Sequence, residues 1–132
     1  TVKGHIHGKD GIYAASLLVE MMAVSGKKLS EIAGDIRKEY GEIHMEERAY
    51  RFTAEEKERI HKTLMMDQAL PEIPFEIDHI SYMDGCKVYL KNGGWVSARF
   101  SGTEPLLRIF CEMQTEHEAV MLCELFEKFL GL

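Results

Sequence analysis

The sequence predicts an α+β fold: an antiparallel sheet of about four to five strands with two helices packed on one face, preceded by two further helices. Three observations carry that expectation. Residues 95–100 and 106–113 alternate apolar and polar side chains with a period of two, as strands with one buried face do. Asp84-Gly85 and Asn92-Gly93 separate β-compatible runs and favour tight hairpin turns. Thr53-Ala54-Glu55-Glu56 and Thr115-Glu116-His117-Glu118 each match the capping box that opens a helix.

Taken in order, residues 1–11 read as a Gly- and His-rich loop in which Asp10 is placed to cap a helix running to about residue 24, stopped by Ser25-Gly26. That helix is apolar almost all round, which suits the middle of a larger body and leaves an exposed patch in this chain. A second helix is expected over 30–40, with Leu29, Ile32, Ile36 and Tyr40 as its stripe and Gly41 as an αL stop. Residues 43–52 are β-compatible although heavily charged. The first capping box opens a helix that turns Ile60 and Leu64 towards the core, and a linker with Pro71 and Pro74 ends it. Strands over 77–83 and 86–91 lead into the 95–100 and 106–113 pair as an antiparallel meander. The second capping box opens a helix whose Ala119, Leu122, Cys123, Phe126, Phe129 and Leu130 form one wide apolar stripe closed by Gly131.

At 132 residues, 45% hydrophobic and 29% charged, the chain has the profile of a globular domain with one ordinary core. A formal charge of −6 argues against nucleic-acid or membrane-surface partners, both of which call for a broad cationic face. The apolar stretch 12–24 is too short to cross a bilayer. Cys86, Cys111 and Cys123 are odd in number and lack C-x-x-C spacing, so they read as reduced core thiols and favour the cytoplasm.

The most informative stretch is Arg99-Phe100-Ser101-Gly102-Thr103-Glu104-Pro105 with the returning Arg108. Two cations, two hydroxyls and a glycine in one tight loop are the means of holding a phosphate. Gly102 can adopt angles closed to other residues, letting successive N–H groups converge on an anion, while Ser101 and Thr103 add hydroxyl donors. In a symmetric hairpin Arg99 and Arg108 face one another, and their repulsion is relieved by an anion between them. Arginine can also offer two parallel donors to two phosphate oxygens. The same residues are compatible with a plain polar turn whose arginines lie solvated over the sheet.

This loop string resembles the phosphate-binding loop in the last domain of the α-D-phosphohexomutases, the phosphoglucomutase and phosphomannomutase family. Gly4-His5-Ile6-His7-Gly8-Lys9-Asp10-Gly11-Ile12 is similar to the string that follows the sugar-recognition loop in the family's third domain, and the Tyr40-Gly41 helix end and Asp84-Gly85-x-Lys87 fall in family order. The resemblance covers essentially the whole chain. It implies that residues 1–41 are the C-terminal remnant of the third, sugar-binding domain and 42–132 the C-terminal phosphate-binding α+β domain. The family's phosphoserine string, Asp-x-Asp-x-Asp metal loop and Gly-Glu-x-Ser sugar loop do not occur. The chain is therefore expected to be the C-terminal piece of a larger isomerase, inactive alone.

By the same resemblance Arg99, Ser101, Gly102, Thr103 and Arg108 bind the non-reacting phosphate of a hexose phosphate, or inorganic phosphate or sulfate in its place. Lys9, with His5, matches positions that face the sugar or move its hydroxyl proton, and Glu104 shapes the loop or touches a sugar hydroxyl. A lysine serves as acid or base only where burial or a neighbouring cation draws its pKa down. His7 and Gly8 stand where some relatives carry other residues. Mg2+ and a hexose bisphosphate activator belong to the full-length enzyme, and the missing N-terminal domains are its partners. No metal site is expected here, because His44, His61, His79 and His117 lie scattered over different elements. Two rival readings are a non-catalytic interaction module docking through the 12–24 helix and a nucleotide- or phosphopeptide-binding domain using the same loop. The latter expects a slot for a base or a peptide groove, which the sequence does not announce.

Overall fold

A computed structural model describes residues 2–132, which divide into two compact units, one ending at Glu42 and the other spanning Ile43–Leu132.

The first unit is a loop followed by helices α1 (Gly11–Ser25) and α2 (Leu29–Tyr40). Asp10 caps α1, its carboxylate accepting the Tyr13 N–H at 2.9 Å, and Gly26 ends the helix in the αL conformation. No residue of α1 is buried; Ile12 and Val24 are 85% and 83% exposed, as an all-round apolar helix in so small a unit must be. At the start of α2 the Glu31 carboxylate accepts the Lys28 N–H at 2.7 Å. Gly41 closes this helix differently from the expected αL stop. Its φ of 90° and ψ of 167° lie outside the αL well, and the chain leaves extended towards the next strand after its N–H has bonded the Arg37 carbonyl.

The second unit is a five-stranded antiparallel sheet with two helices on one face: β1 (His44–Arg51), α3 (Ala54–His61), β2 (Ile77–Ser81), β3 (Cys86–Leu90), β4 (Trp95–Phe100), β5 (Leu106–Met113) and α4 (Glu116–Leu130). Strand order is β1-β5-β4-β3-β2, so the meander of the last four strands is joined at β5 by the first strand in the chain. The alternation noted in the sequence is the burial pattern: Val96, Ala98, Leu107, Ile109, Cys111 and Met113 point into the core. There they meet Ile60 and Leu64 from the α3 side and Ala119, Leu122, Cys123, Phe126 and Leu130 of α4. Phe126 is fully buried, and truncating such a side chain to Ala costs about 3–5 kcal/mol.

The charged character of β1 has a direct cause. As an edge strand it turns Glu46 and Arg48 towards the flank of α4, where the Arg48 guanidinium reaches Glu46 at 3.0 Å and Glu127 at 2.7 Å. Arg59 of α3 donates to the Leu130 carbonyl at 2.6 Å, tying the end of α4 to its neighbour helix.

The Thr53 capping box is complete, whereas the second box forms only in part. Thr115 Oγ1 accepts the Glu118 N–H, but the Glu118 carboxylate takes the Thr115 hydroxyl proton at 2.8 Å instead of the Thr115 amide. After α3 the chain widens into a π-helical turn, Lys62–Met66, in which the Asp67 N–H bonds the Lys62 carbonyl. Leu64, within this turn, is buried in the core beside Ile60.

The Asp84-Gly85 turn fits tightly against the neighbouring hairpin. Gly85 has a φ of 86°, and a Cβ there would lie 2.6 Å from the Ala98 carbonyl oxygen. Gly85→Ala is therefore expected to lower stability by roughly 2–4 kcal/mol, the sum of left-handed strain and a clash with backbone that cannot turn aside; chemical denaturation measures it. The three cysteines are free and buried, and burial pushes the Cys86 thiol up to about 11. A thiol reagent at pH 8 should find no reactive cysteine in the native protein and three after unfolding.

Candidate functional site

The loop between β4 and β5 stands on a well-anchored base. Ser101 N–H bonds the Leu106 carbonyl and Leu106 N–H the Glu104 carbonyl, both at 2.8 Å, and the Phe52 N–H reaches the Pro105 carbonyl at 3.4 Å. Beneath it Phe100 meets Phe52 edge to face at 5.4 Å between ring centres. Above this base the Gly102 and Glu104 amides make no hydrogen bond among the described residues, and the Thr103 amide has only a long 3.5 Å contact to Ser101 Oγ. Three successive donors, two of them free, therefore crown a fixed hairpin end.

Gly102 departs from the reasoning that singled it out. It does not have positive φ, and a Cβ built on it would meet nothing within 4 Å. The donors are presented by an ordinary tight loop, and the Ser101 amide is committed to closing the hairpin.

The sheet register places Arg99 opposite Arg108. Like charges at that separation, about 5 Å between Cβ atoms, destabilise the pair of strands. Here the two side chains lean to different carboxylates. Arg99 Nε lies 3.3 Å from Asp84, while Arg108 has Glu47 at 3.3 Å and Glu104 at 3.7 Å. Arg99 is 54% exposed and Arg108 41%, so these contacts are solvent-screened and worth at most about 1 kcal/mol each. Arg108 is held beside the loop through Glu104, whereas Arg99 leans to the Asp84 turn, and both contacts are open to exchange of partner. Glu104 makes two contacts here, its carbonyl accepting the Leu106 N–H and its carboxylate lying 3.7 Å from Arg108.

Sequence reasoning missed Asp84 and Glu47. Asp84 came to attention as a turn former, and Glu47 as one charge among several; only the sheet brings them to the arginines. It also missed a hollow of about 310 Å³ on the open sheet face beside Arg99, lined among others by Ser97, Phe110 and Lys87. Lys87 Nζ lies 3.7 Å from the centre of the Trp95 ring, a cation–π contact.

His5 and Lys9 belong to the first unit, in the loop before α1. Lys9 is exposed and, with His5, His7 and Tyr13, lines a hollow of about 630 Å³. His5 is partly buried: its Nε2 lies 2.9 Å from Asp10 Oδ2, and its ring stacks on Tyr13 with centres 3.9 Å apart. Among the described residues no group of three or more His, Cys, Asp or Glu side chains comes together as metal ligands would, and no helix is long and apolar enough to cross a membrane.

Residues 45–128 match the family model described as phosphoglucomutase/phosphomannomutase, C-terminal domain, and residues 1–40 match that of the family's α/β/α domain III. The chain belongs to the phosphoglucomutase/phosphomannomutase family. Among curated proteins it is 34% identical to a phosphoglucomutase/phosphomannomutase of Thermococcus kodakarensis, over 93% of this chain and 25% of that protein. It is 33% identical to a phosphoglucosamine mutase of Geobacillus kaustophilus, over 81% of this chain and 20% of that protein. A probable phosphoglucosamine mutase of Methanosarcina acetivorans is also 33% identical, over 92% of this chain and 24% of that protein. The chain thus spans a quarter or less of the length of these relatives. The β4–β5 loop lies inside the stretch that matches the C-terminal domain, and His5 and Lys9 inside the stretch that matches domain III.

The Asp10 carboxylate is held below its usual 3.8, first by the Tyr13 N–H and then by His5. A depressed carboxylate contributes stability that is present above the unfolded value and is lost as pH falls through the folded one. The first turn of α1 is therefore expected to fray as pH falls below 3.8 and on through the lowered folded value. Backbone chemical shifts of residues 11–14 should follow that change in the native sequence and lose it in Asp10→Asn.

Proposed function

We propose that the β4–β5 loop binds the non-reacting phosphate of a hexose phosphate in a mutase that transfers phosphate within the sugar. The observation that supports this most is the coincidence at one hairpin end of free amides at Gly102 and Glu104 with two guanidinium groups held only by weak, exposed carboxylate contacts. A phosphate dianion placed there accepts from the amides and the Ser101 and Thr103 hydroxyls, and it exchanges one weak partner of each arginine for a stronger one. Arg108 and Arg99 then share an anion, which removes the like-charge cost of their register.

In this reading the loop's contribution is positioning and neutralisation of charge, and Lys9 and His5 face the sugar from the domain III portion. Glu104 keeps the loop in shape. A terminal domain that closes on the phosphate and reopens permits a bisphosphorylated intermediate to turn over between two half-reactions. Magnesium, the phosphoserine and the hexose bisphosphate activator belong to other parts of such an enzyme. The strings that carry the family's phosphoserine and metal loop are not in this sequence. The chain alone is accordingly expected not to turn over substrate. Relatives act, by their names, on glucose, mannose and glucosamine phosphates, and the phosphate is the part common to all. Three unpaired thiols suit a reducing compartment, the cytoplasm.

Each charge-assisted hydrogen bond contributes about 1.5–3 kcal/mol against several kcal/mol of lost freedom, so binding by the chain alone should be no tighter than roughly millimolar. In an NMR titration with inorganic phosphate or glucose 6-phosphate, the amides of Gly102, Thr103 and Glu104 should move first, and Arg99→Ala should abolish the response. Shifts confined to other regions would refute the assignment. Gly102→Ala should leave stability within about 0.5 kcal/mol, since the site has room for a methyl group.

A further inference from the structure

We propose that Asp10 is a positioning residue for His5: the same carboxylate that caps α1 holds the imidazole in the Nε2–H form and leaves Nδ1 as the ring's hydrogen-bond acceptor for a sugar hydroxyl. The assignment rests on the reading that this loop faces the sugar.

Three contacts lock the ring. Asp10 Oδ1 accepts the Tyr13 N–H at 2.9 Å while Oδ2 lies 2.9 Å from His5 Nε2, so one side chain joins the helix end to the loop five residues earlier. The His5 ring then lies on Tyr13 with an interplanar angle of 18°. The His5 N–H bonds the Val2 carbonyl at 3.1 Å, fixing the backbone that carries the ring.

The chemistry follows from what each partner can do. An ionised carboxylate only accepts hydrogen bonds, so Nε2 must carry the proton. In a neutral imidazole the lone pair is then on Nδ1. Nδ1 has no hydrogen-bond partner among the described residues, and the ring borders the hollow of about 630 Å³ that Lys9 and His7 also line. Asp10 stays ionised because it sits at a helix N-terminus and accepts a backbone N–H there. The cap therefore does more than start the helix. It sets which nitrogen of His5 faces outward as an acceptor, in the way that second partners of functional histidines fix the tautomer.

The test reads the tautomer directly, by long-range proton–nitrogen NMR of the histidine rings in the native chain, Asp10→Asn and Asp10→Ser, at a pH where His5 is neutral. In the native chain His5 should show the Nε2–H form. Asp10→Asn keeps an oxygen for the Tyr13 amide but turns an NH2 donor towards His5, so the signature should invert to Nδ1–H. Asp10→Ser keeps the cap alone, and His5 should average between the two forms. Residues 11–14 should remain helical in all three, which separates ring orientation from unfolding. A His5 tautomer that is Nδ1–H in the native chain, or unchanged across the three proteins, overturns the assignment. The phosphate titration at Gly102 to Glu104 probes the other unit and no histidine, so failure there refutes the phosphate assignment and leaves the His5 tautomer to be decided by its own measurement.

Discussion

The antiparallel pairing of β4 with β5 is the constraint on which the site depends, because its register sets Arg99 against Arg108. Two guanidinium groups at neighbouring positions on one sheet face repel, and a nearby counter-charge relieves that cost. The protein supplies three carboxylates from three elements: Asp84 from the preceding turn, Glu47 from β1 and Glu104 from the loop itself. Each contact is long and exposed, so the arrangement is tolerated without being locked. In the proposed function an anion with better geometry takes the carboxylates' place, as binding and release of a phosphate require.

What keeps that register from slipping lies on the opposite face of the sheet. Leu107, Ile109, Cys111 and Met113 alternate with the arginine-bearing face, and a shift of one residue would carry this buried row into water while driving Arg108 into the core. Ile60, Leu64 and the apolar stripe of α4 cover that row. The arginine-bearing face is thus positioned by packing it does not take part in. The loop above inherits the same rigidity through the Ser101–Leu106 bond and the Phe52–Phe100 contact.

The two candidate regions differ in how their side chains are held. Around the β4–β5 loop a sheet with a core supports the cations. Before α1 the support is local: Asp10 links a helix end, a histidine and, through the stack, Tyr13 within nine residues. Such a cluster can form without a core, which is consistent with a helix that exposes Ile12 and Val24 and buries nothing.

Much of this was legible along the chain because the signals are local. Strand alternation, the Asp-Gly and Asn-Gly turns, the Thr53 box, the Asp10 cap and the wide stripe of α4 are decided by residues within a few positions of one another, where backbone preference and side-chain period act directly. The opposition of Arg99 and Arg108 could also be read, since a short hairpin leaves few registers. Pairing over long separations could not. Nothing near Glu46 and Arg48 announces that their strand joins β5, more than fifty residues later, with α4 receiving their charges. Nor did spacing show that Asp84 and Glu47 would take the arginines, or that Gly102 would do without the left-handed conformation that made it conspicuous. Contacts between distant segments are chosen by which faces must be buried together, and that choice is made only when the sheet closes over its helices.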